Sequence, residues 1–284
     1  MSAVADDLSR PQLDDDTGEV WDEAALSKSV RRQRIILYAT RVLLAVSIVG
    51  IWEFTARTFV DPFWISQPSL IVGVLWEWVT TGYIFSHLWA TGQAMILGLV
   101  LGSLVGISVG FLLGRVRFLA QVLDPFISAL YSLPRIALAP LFILWFGIGL
   151  LPKVMLTAVI VFFLTFKSTF TGVRSVDREL VDVVRVMGAT KVEVLRKVVL
   201  PYSLAWIFMG LRLAVPYSLV GAVVAEFVAS SNGIGWVIRS ASGVFDTVTV
   251  FAGLVVLAMV GFLLTQILDY SEKATSRWRE TELA

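Results

Sequence analysis

The sequence predicts an all-α, polytopic membrane protein with six transmembrane helices, and three observations carry that expectation. Of 284 residues, 57% are hydrophobic and only 16% charged, with a mean hydropathy of +0.81; a chain so poor in charge needs lipid as its solvent. Stretches apolar enough to cross a hydrocarbon core of about 30 Å recur at 42–60, 91–114, 122–146, 154–171, 203–229 and 247–270. Lys and Arg are concentrated in alternate loops between those stretches, as membrane topology demands.

Residues 1–30 are polar and acidic, with Asp14, Asp15 and Asp16 in a row, and offer no apolar run to bury. A disordered tail is expected there. It lacks the early apolar region of a signal peptide, so the first apolar stretch is expected to stay as a span of a membrane domain over 31–275, with 276–284 a short second tail. Between the first two spans, Ser69 to Thr80 carries Trp76, Glu77 and Trp78 and is too short to cross. It reads as an interfacial helix.

The second span holds Gly98, Gly102, Gly106, Gly110 and Gly114, one every four residues. That spacing puts them on one helix face, where missing side chains let another helix approach. The charge then orients the chain. Arg31, Arg32, Arg34 and Arg41 precede span one, Arg115 and Arg117 follow span two, six basic residues from Arg174 to Lys197 follow span four, and Lys273, Arg277 and Arg279 follow span six. Only Arg57, Lys153 and Arg239 lie near the opposite loops. Both termini and the loop after span four are therefore expected in the cytoplasm.

That loop, about 175–201, has helical periodicity without a span's apolarity. Leu180, Val183, Val184 and Met187 form one stripe of an amphipathic helix, with Asp177 and Glu179 in its first turn and Gly188 suited to a left-handed end. Thr190 and Glu193 have capping-box spacing for a second short helix, and Pro201 follows it. Such a stripe can dock in a groove on a soluble partner, lie on the membrane surface, or pack under its own bundle.

The loop resembles the signature loop of ABC-importer permeases, whose pattern is Glu-Ala-Ala, three residues, Gly, nine residues, Ile, any residue, Leu-Pro. The matching positions are Asp182-Val183-Val184, Gly188 followed by Ala189, then Val198, Leu200 and Pro201. Flanking text is similar to the nitrate, sulfonate, taurine and bicarbonate branch: residues 139–149, Gly210 to Leu213, Val224 to Phe227 and Gly233 to Gly235. Asp-Val-Val in place of Glu-Ala-Ala departs from the pattern by added bulk. The resemblance implies an inner-membrane permease whose coupling helices, between spans four and five, seat in an ABC ATPase. It further implies two ATPase copies, a second copy of the permease, and a periplasmic or lipoprotein solute-binding protein, with ATP and Mg bound by the ATPase and no cofactor in this chain. A thiamine-precursor pyrimidine or an aromatic acid is the alternative to a small anionic solute.

Absences restrict the rest. There is no Cys and a single His, His87, which leaves no thiolate or zinc chemistry. No Gly-Lys dipeptide occurs, so the chain has no phosphate-cradling ATPase loop. A net charge of +1 points to no nucleic-acid partner. An ion-gradient-driven secondary transporter is the competing class, but the halves show no convincing inverted repeat.

Ionisable residues inside the spans are the remaining candidates, because each is costly in hydrocarbon. Arg135, beside Pro134 in the third stretch, fits either contact with an anionic solute or an ion pair with an intramembrane acid such as Glu226. Glu226 and Arg212 lie in segments shared with the branch. Asn232 with Gly233 to Gly235 reads as an outer turn or gate beside the pathway, and His87 beside Trp89 as a polar rim residue.

Overall fold

In the structure, a computed structural model, residues 23–228 and 230–275 are described. The chain divides into a unit up to Pro68 and a larger one from Ser69 onward. The first holds α1 (Glu23–Thr58) and α2 (Pro62–Ile65), tied by the Trp52 indole donating to the Ile65 carbonyl at 3.1 Å. Helix α1 starts at Glu23, so it takes in the end of the segment expected to be a disordered tail, whose residues 1–22 lie outside the described residues, as does the tail at 276–284.

The second unit opens with the expected interfacial helix, α3 (Pro68–Thr80), and continues through α4 (Tyr83–Arg115), α5 (Arg117–Ser132), a 3-10 turn (Arg135–Leu138), α6 (Ala139–Phe146) and α7 (Leu150–Arg174). Then come α8 (Arg178–Val186), α9 (Lys191–Val194), α10 (Leu200–Val228), α11 (Ile234–Gly243) and α12 (Thr247–Thr275). The core is α7 sandwiched between α4 and α10.

The glycine row decides how α4 meets α7. A Cβ added to Gly98 would strike Thr157, one on Gly102 the Ala158 carbonyl and Val161, one on Gly106 Thr165 and Phe162, one on Gly110 the Phe166 carbonyl at 2.7 Å, and one on Gly114 the Val173 Cβ at 2.7 Å. Four residues on α4 match four on α7 at each step, so the helices run parallel in one register, backbone against backbone. The partner of the glycine face is thus within the same chain. On the other flank of α7, Gly210 of α10 fits against Ser168, Gly221 against Thr157, and Gly172 of α7 against Trp206 of α10, which makes α10 antiparallel.

Parallel α4 and α7 have a topological consequence: the chain between them must cross the membrane once. The helices available are the apolar pair 125–132 and 135–146, bent by 85° at the break between them. Together they are one broken span, so the five other apolar helices long enough to cross and this pair make six. The expected third span exists but is not straight. Its break has a local cause: Pro134 disfavours helix at Leu133, which is extended at φ −68°, ψ 133°.

The ends of the bundle follow. Arg115, Arg174 and the 175–201 loop sit at one end; His87, Lys153, Glu226 and α11 sit at the other. Helix α11 was expected only as a turn, yet Ile234, Gly235, Val237, Ile238 and Ala241 are buried in it.

Gly106→Val should lower the unfolding free energy in detergent by about 1–3 kcal/mol or prevent folding, because a branched side chain has no room against α7. Gly92→Ala on the same helix, where an added Cβ meets nothing within 4 Å, should leave the melting temperature unchanged.

Candidate functional site

The loop between α7 and α10 is a rigid helix, turn, helix. Asp177 caps α8 by accepting from the Glu179 N–H at 2.9 Å. The helix ends in a Schellman motif: the Gly188 N–H donates to the Arg185 carbonyl at 2.9 Å and the Ala189 N–H to the Val184 carbonyl at 3.1 Å, with Gly188 at φ 87°. Thr190 and Glu193 complete the expected capping box: Oγ1 accepts from the Glu193 N–H at 3.3 Å and the carboxylate from the Thr190 N–H at 2.9 Å. A π turn over Leu195–Val199 joins α9 to α10. It widens the helix where the Pro201 ring would otherwise meet the Lys197 carbonyl.

The apolar face of this loop is uncovered. Val186 is 88% exposed and Met187 81%, with Leu180 and Val183 also exposed, while Val184 is half-buried. The outward stripe is therefore Leu180, Val183, Val186 and Met187, rotated slightly from the expected one. Asp182 sits beside it, 3.6 Å from Arg185 at an exposed site. Leu200 is 39% exposed.

At the opposite end a buried polar cluster joins α4, α7, α10 and α11. Glu226 is fully buried and its two oxygens accept from Thr91 Oγ1, each at 3.0 Å. It also accepts from the Gly235 N–H at 2.9 Å, a carboxylate at the start of α11 where the helix dipole favours it. Thr91 in turn accepts from the Ile234 N–H at 2.9 Å, and His87 Nδ1 from the Gly233 N–H at 3.1 Å. The His87 ring stacks on Trp236 at 5.4 Å. Lys153 Nζ lies 3.6 Å from Glu226 and donates to Ser230 Oγ at 3.2 Å and Asn232 Oδ1 at 3.0 Å. Gly233 and Gly235 are required here, since a Cβ on either would collide with the Glu226 side chain.

This cluster corrects three expectations. The ion partner of Glu226 is Lys153 rather than Arg135. Lys153 itself is buried in the first turn of α7, although its nearness to a loop had placed it among the outer loop residues. His87 is 7% exposed and anchors Gly233, so it is no rim residue. The sequence did hold a signal for His87 and Thr91: they continue the glycine face of α4 at positions 87, 91, 94 and 98. Asn232 belongs to this cluster, where its side chain and carbonyl face Lys153.

Arg135 sits apart, at the break in the third span. Its guanidinium carbon lies 4.7 Å from the Tyr131 ring and 4.8 Å from the Phe163 ring, and its Nε is buried without a partner. Among the described residues it makes no ion pair.

The family model described as "Binding-protein-dependent transport system inner membrane component" matches residues 98–277, which include the glycine row, the loop and the Lys153, Glu226 and Asn232 part of the polar cluster. The chain belongs to that family. A putative aliphatic sulfonates transport permease protein, SsuC, of Bacillus subtilis (strain 168) is 34% identical over 84% of this chain and 87% of its own length. The riboflavin transport system permease protein RibX of Chloroflexus aurantiacus is 36% identical over 76% of this chain and 81% of its own. The taurine transport system permease protein TauC of Escherichia coli (strain K12) is 29% identical over 83% of this chain. Among solved structures, a chain of the inward-facing MetNI methionine ABC transporter superposes with a TM-score of 0.58 at 20% identity, covering 66% of this chain and 94% of that one. The permease is thus a multi-pass membrane subunit of an ATP-driven ABC importer, with the importer fold.

In this permease, Glu226→Ala should destabilise the fold by about 3–5 kcal/mol, because it strands the Lys153 ammonium in the interior. The pair replacement Lys153→Met with Glu226→Gln should cost clearly less in the same thermal unfolding assay.

Proposed function

We propose that two copies of this permease enclose a solute pathway and that each seats its 175–201 loop in one of two ABC ATPase copies. Both termini and this loop then lie in the cytoplasm, and a periplasmic or lipoprotein binding protein delivers solute to the end that holds the Glu226 cluster. The observation that carries the coupling role is the uncovered apolar face of a capped, rigid helix pair. Leu180, Val183, Val186 and Met187 present a preorganised hydrophobic ridge that water alone does not favour. Gly188 sets its angle to α9, and the helical path through Leu200 and Pro201 into α10 carries a push on the ridge directly to the core. The ATPase binds ATP and Mg; this chain supplies the pathway.

The solute we favour is a small anion of the sulfonate, taurine or nitrate-like type, in keeping with the sulfonate and taurine relatives and with Arg135 at the break of the third span. RibX and the formylaminopyrimidine transport permease protein ThiX of Halalkalibacterium halodurans, 31% identical over 84% of this chain, support a neutral heteroaromatic solute as the second reading. Ligand screening by thermal shift on the cognate binding protein separates the two, since a bound ligand raises its melting temperature by mass action.

Met187→Glu and Val186→Glu should abolish co-purification of the ATPase and the stimulation of ATP hydrolysis by loaded binding protein, while the permease keeps its melting temperature. Gly188→Pro should uncouple hydrolysis from uptake or prevent association. Undiminished transport by all three would refute the docking role.

A further inference from the structure

We propose that Arg135 and Lys167 form a two-cation step on the open flank of α7 that takes the oxyanion group of a passing solute, a sulfonate, carboxylate or nitrate-like anion. This rests on the permease reading above and adds a second residue and a ligand chemistry to it.

Two faces of α7 are filled. Thr157, Val161, Thr165, Thr169 and Val173 meet the glycine row of α4, and Ser168 and Gly172 meet α10. The third face is covered only as far as the break. Leu156 and Ile160 pack with Ala139 and Phe142 of α6, and Phe163 lies under Arg135 and Tyr131. There the third span turns by 85°, and one turn further along the same face Lys167 is exposed. Lys167 lies about 10 Å from the end of α7 at 1.5 Å per residue, with only uncharged residues between it and Lys153 on one side and Arg174 on the other. It is about 6 Å along the axis from Phe163, the ring on which the Arg135 guanidinium packs.

Contrast with Lys153 shows what these cations are not. Lys153 is compensated by Glu226, Ser230 and Asn232 and serves to hold the fold. Among the described residues neither Arg135 nor Lys167 forms an ion pair, and one Arg135 nitrogen is buried unpartnered. Two neighbouring cations at hydrocarbon depth repel each other and cost free energy unless an anion or water visits them. The guanidinium packs on the Tyr131 and Phe163 rings, which meet each other edge to face on one side of it, leaving N–H groups for bidentate contact with an oxyanion. Lys167 adds a mobile point charge that can receive the anion at the next turn.

The natural chain has no cysteine, so a single reporter thiol can be read without background. Thr171→Cys, one turn beyond Lys167, would be introduced into the permease assembled with its ATPase in nanodiscs. Labelling by the anionic reagent 2-sulfonatoethyl methanethiosulfonate would be compared with that by the cationic 2-(trimethylammonio)ethyl analogue, each normalised to its rate with a free thiol and read on this chain by mass spectrometry. The expected anion-over-cation ratio is about tenfold or more, falling by about tenfold with Arg135→Gln or Lys167→Gln and retained with Arg135→Lys. A ratio that neither neutralisation lowers, or a thiol reached only by a neutral membrane-permeant reagent, overturns the proposal. Assembly and binding-protein-stimulated ATP hydrolysis, measured on the same preparation, report on the permease reading separately. A complex that assembles and hydrolyses ATP but shows no charge preference overturns only the anion step.

Discussion

The contact between α4 and α7 is the constraint from which the rest of the permease fold follows. In lipid no hydrophobic force drives two helices together, so association depends on close packing. Five glycines in register remove the side chains that would keep the backbones apart, and α7 supplies Thr, Val and Phe to fill the groove. This fixes the two helices as parallel neighbours. Parallel neighbours require one crossing between them, and the only apolar material in that interval is a pair of helices broken at Pro134. The break is therefore part of the span set.

The buried polar cluster holds the same three helices at their other end. Glu226 accepts from Thr91 of α4, pairs with Lys153 of α7, and accepts from Gly235 of α11 while itself belonging to α10. A single carboxylate thus ties four elements through directional bonds, where glycine packing ties two through shape. Its charge is compensated within the cluster, which is how a buried ionised group persists in a membrane protein. The arrangement fastens α11 to the bundle, while among the described residues Arg135 at the break and Lys167 of α7 make no ion pair.

The loop between α7 and α10 holds its shape differently. Its helices are short, and isolated helices of that length are marginal in water. Asp177, the Schellman turn at Gly188 and the Thr190–Glu193 capping box satisfy their ends locally, so the apolar ridge can remain uncovered without the loop losing its shape. Its second helix runs through a π turn into α10, which packs along α7. Ridge and core are thereby one mechanical path.

Much of this was legible in the residues themselves. Hydropathy dictated the number of crossings, the four-residue glycine period marked a packing face, and spacing alone placed the caps and the Gly188 turn, because those features are local and obey helix geometry. Sequence distance misled for Lys153 and His87. Both stand near loops in the chain, and only packing against residues 73 and more positions away shows them to be buried. Which acid pairs with which base is likewise a long-range fact: Arg135 is as apolar-flanked as Lys153, but Glu226 reaches only one of them. The sequence by itself determined the solvent, the spans and the turns. The tertiary structure alone decided the partner of the glycine face, the bend of the third span, and which intramembrane charges are neutralised, since each depends on helices brought together from distant parts of the chain.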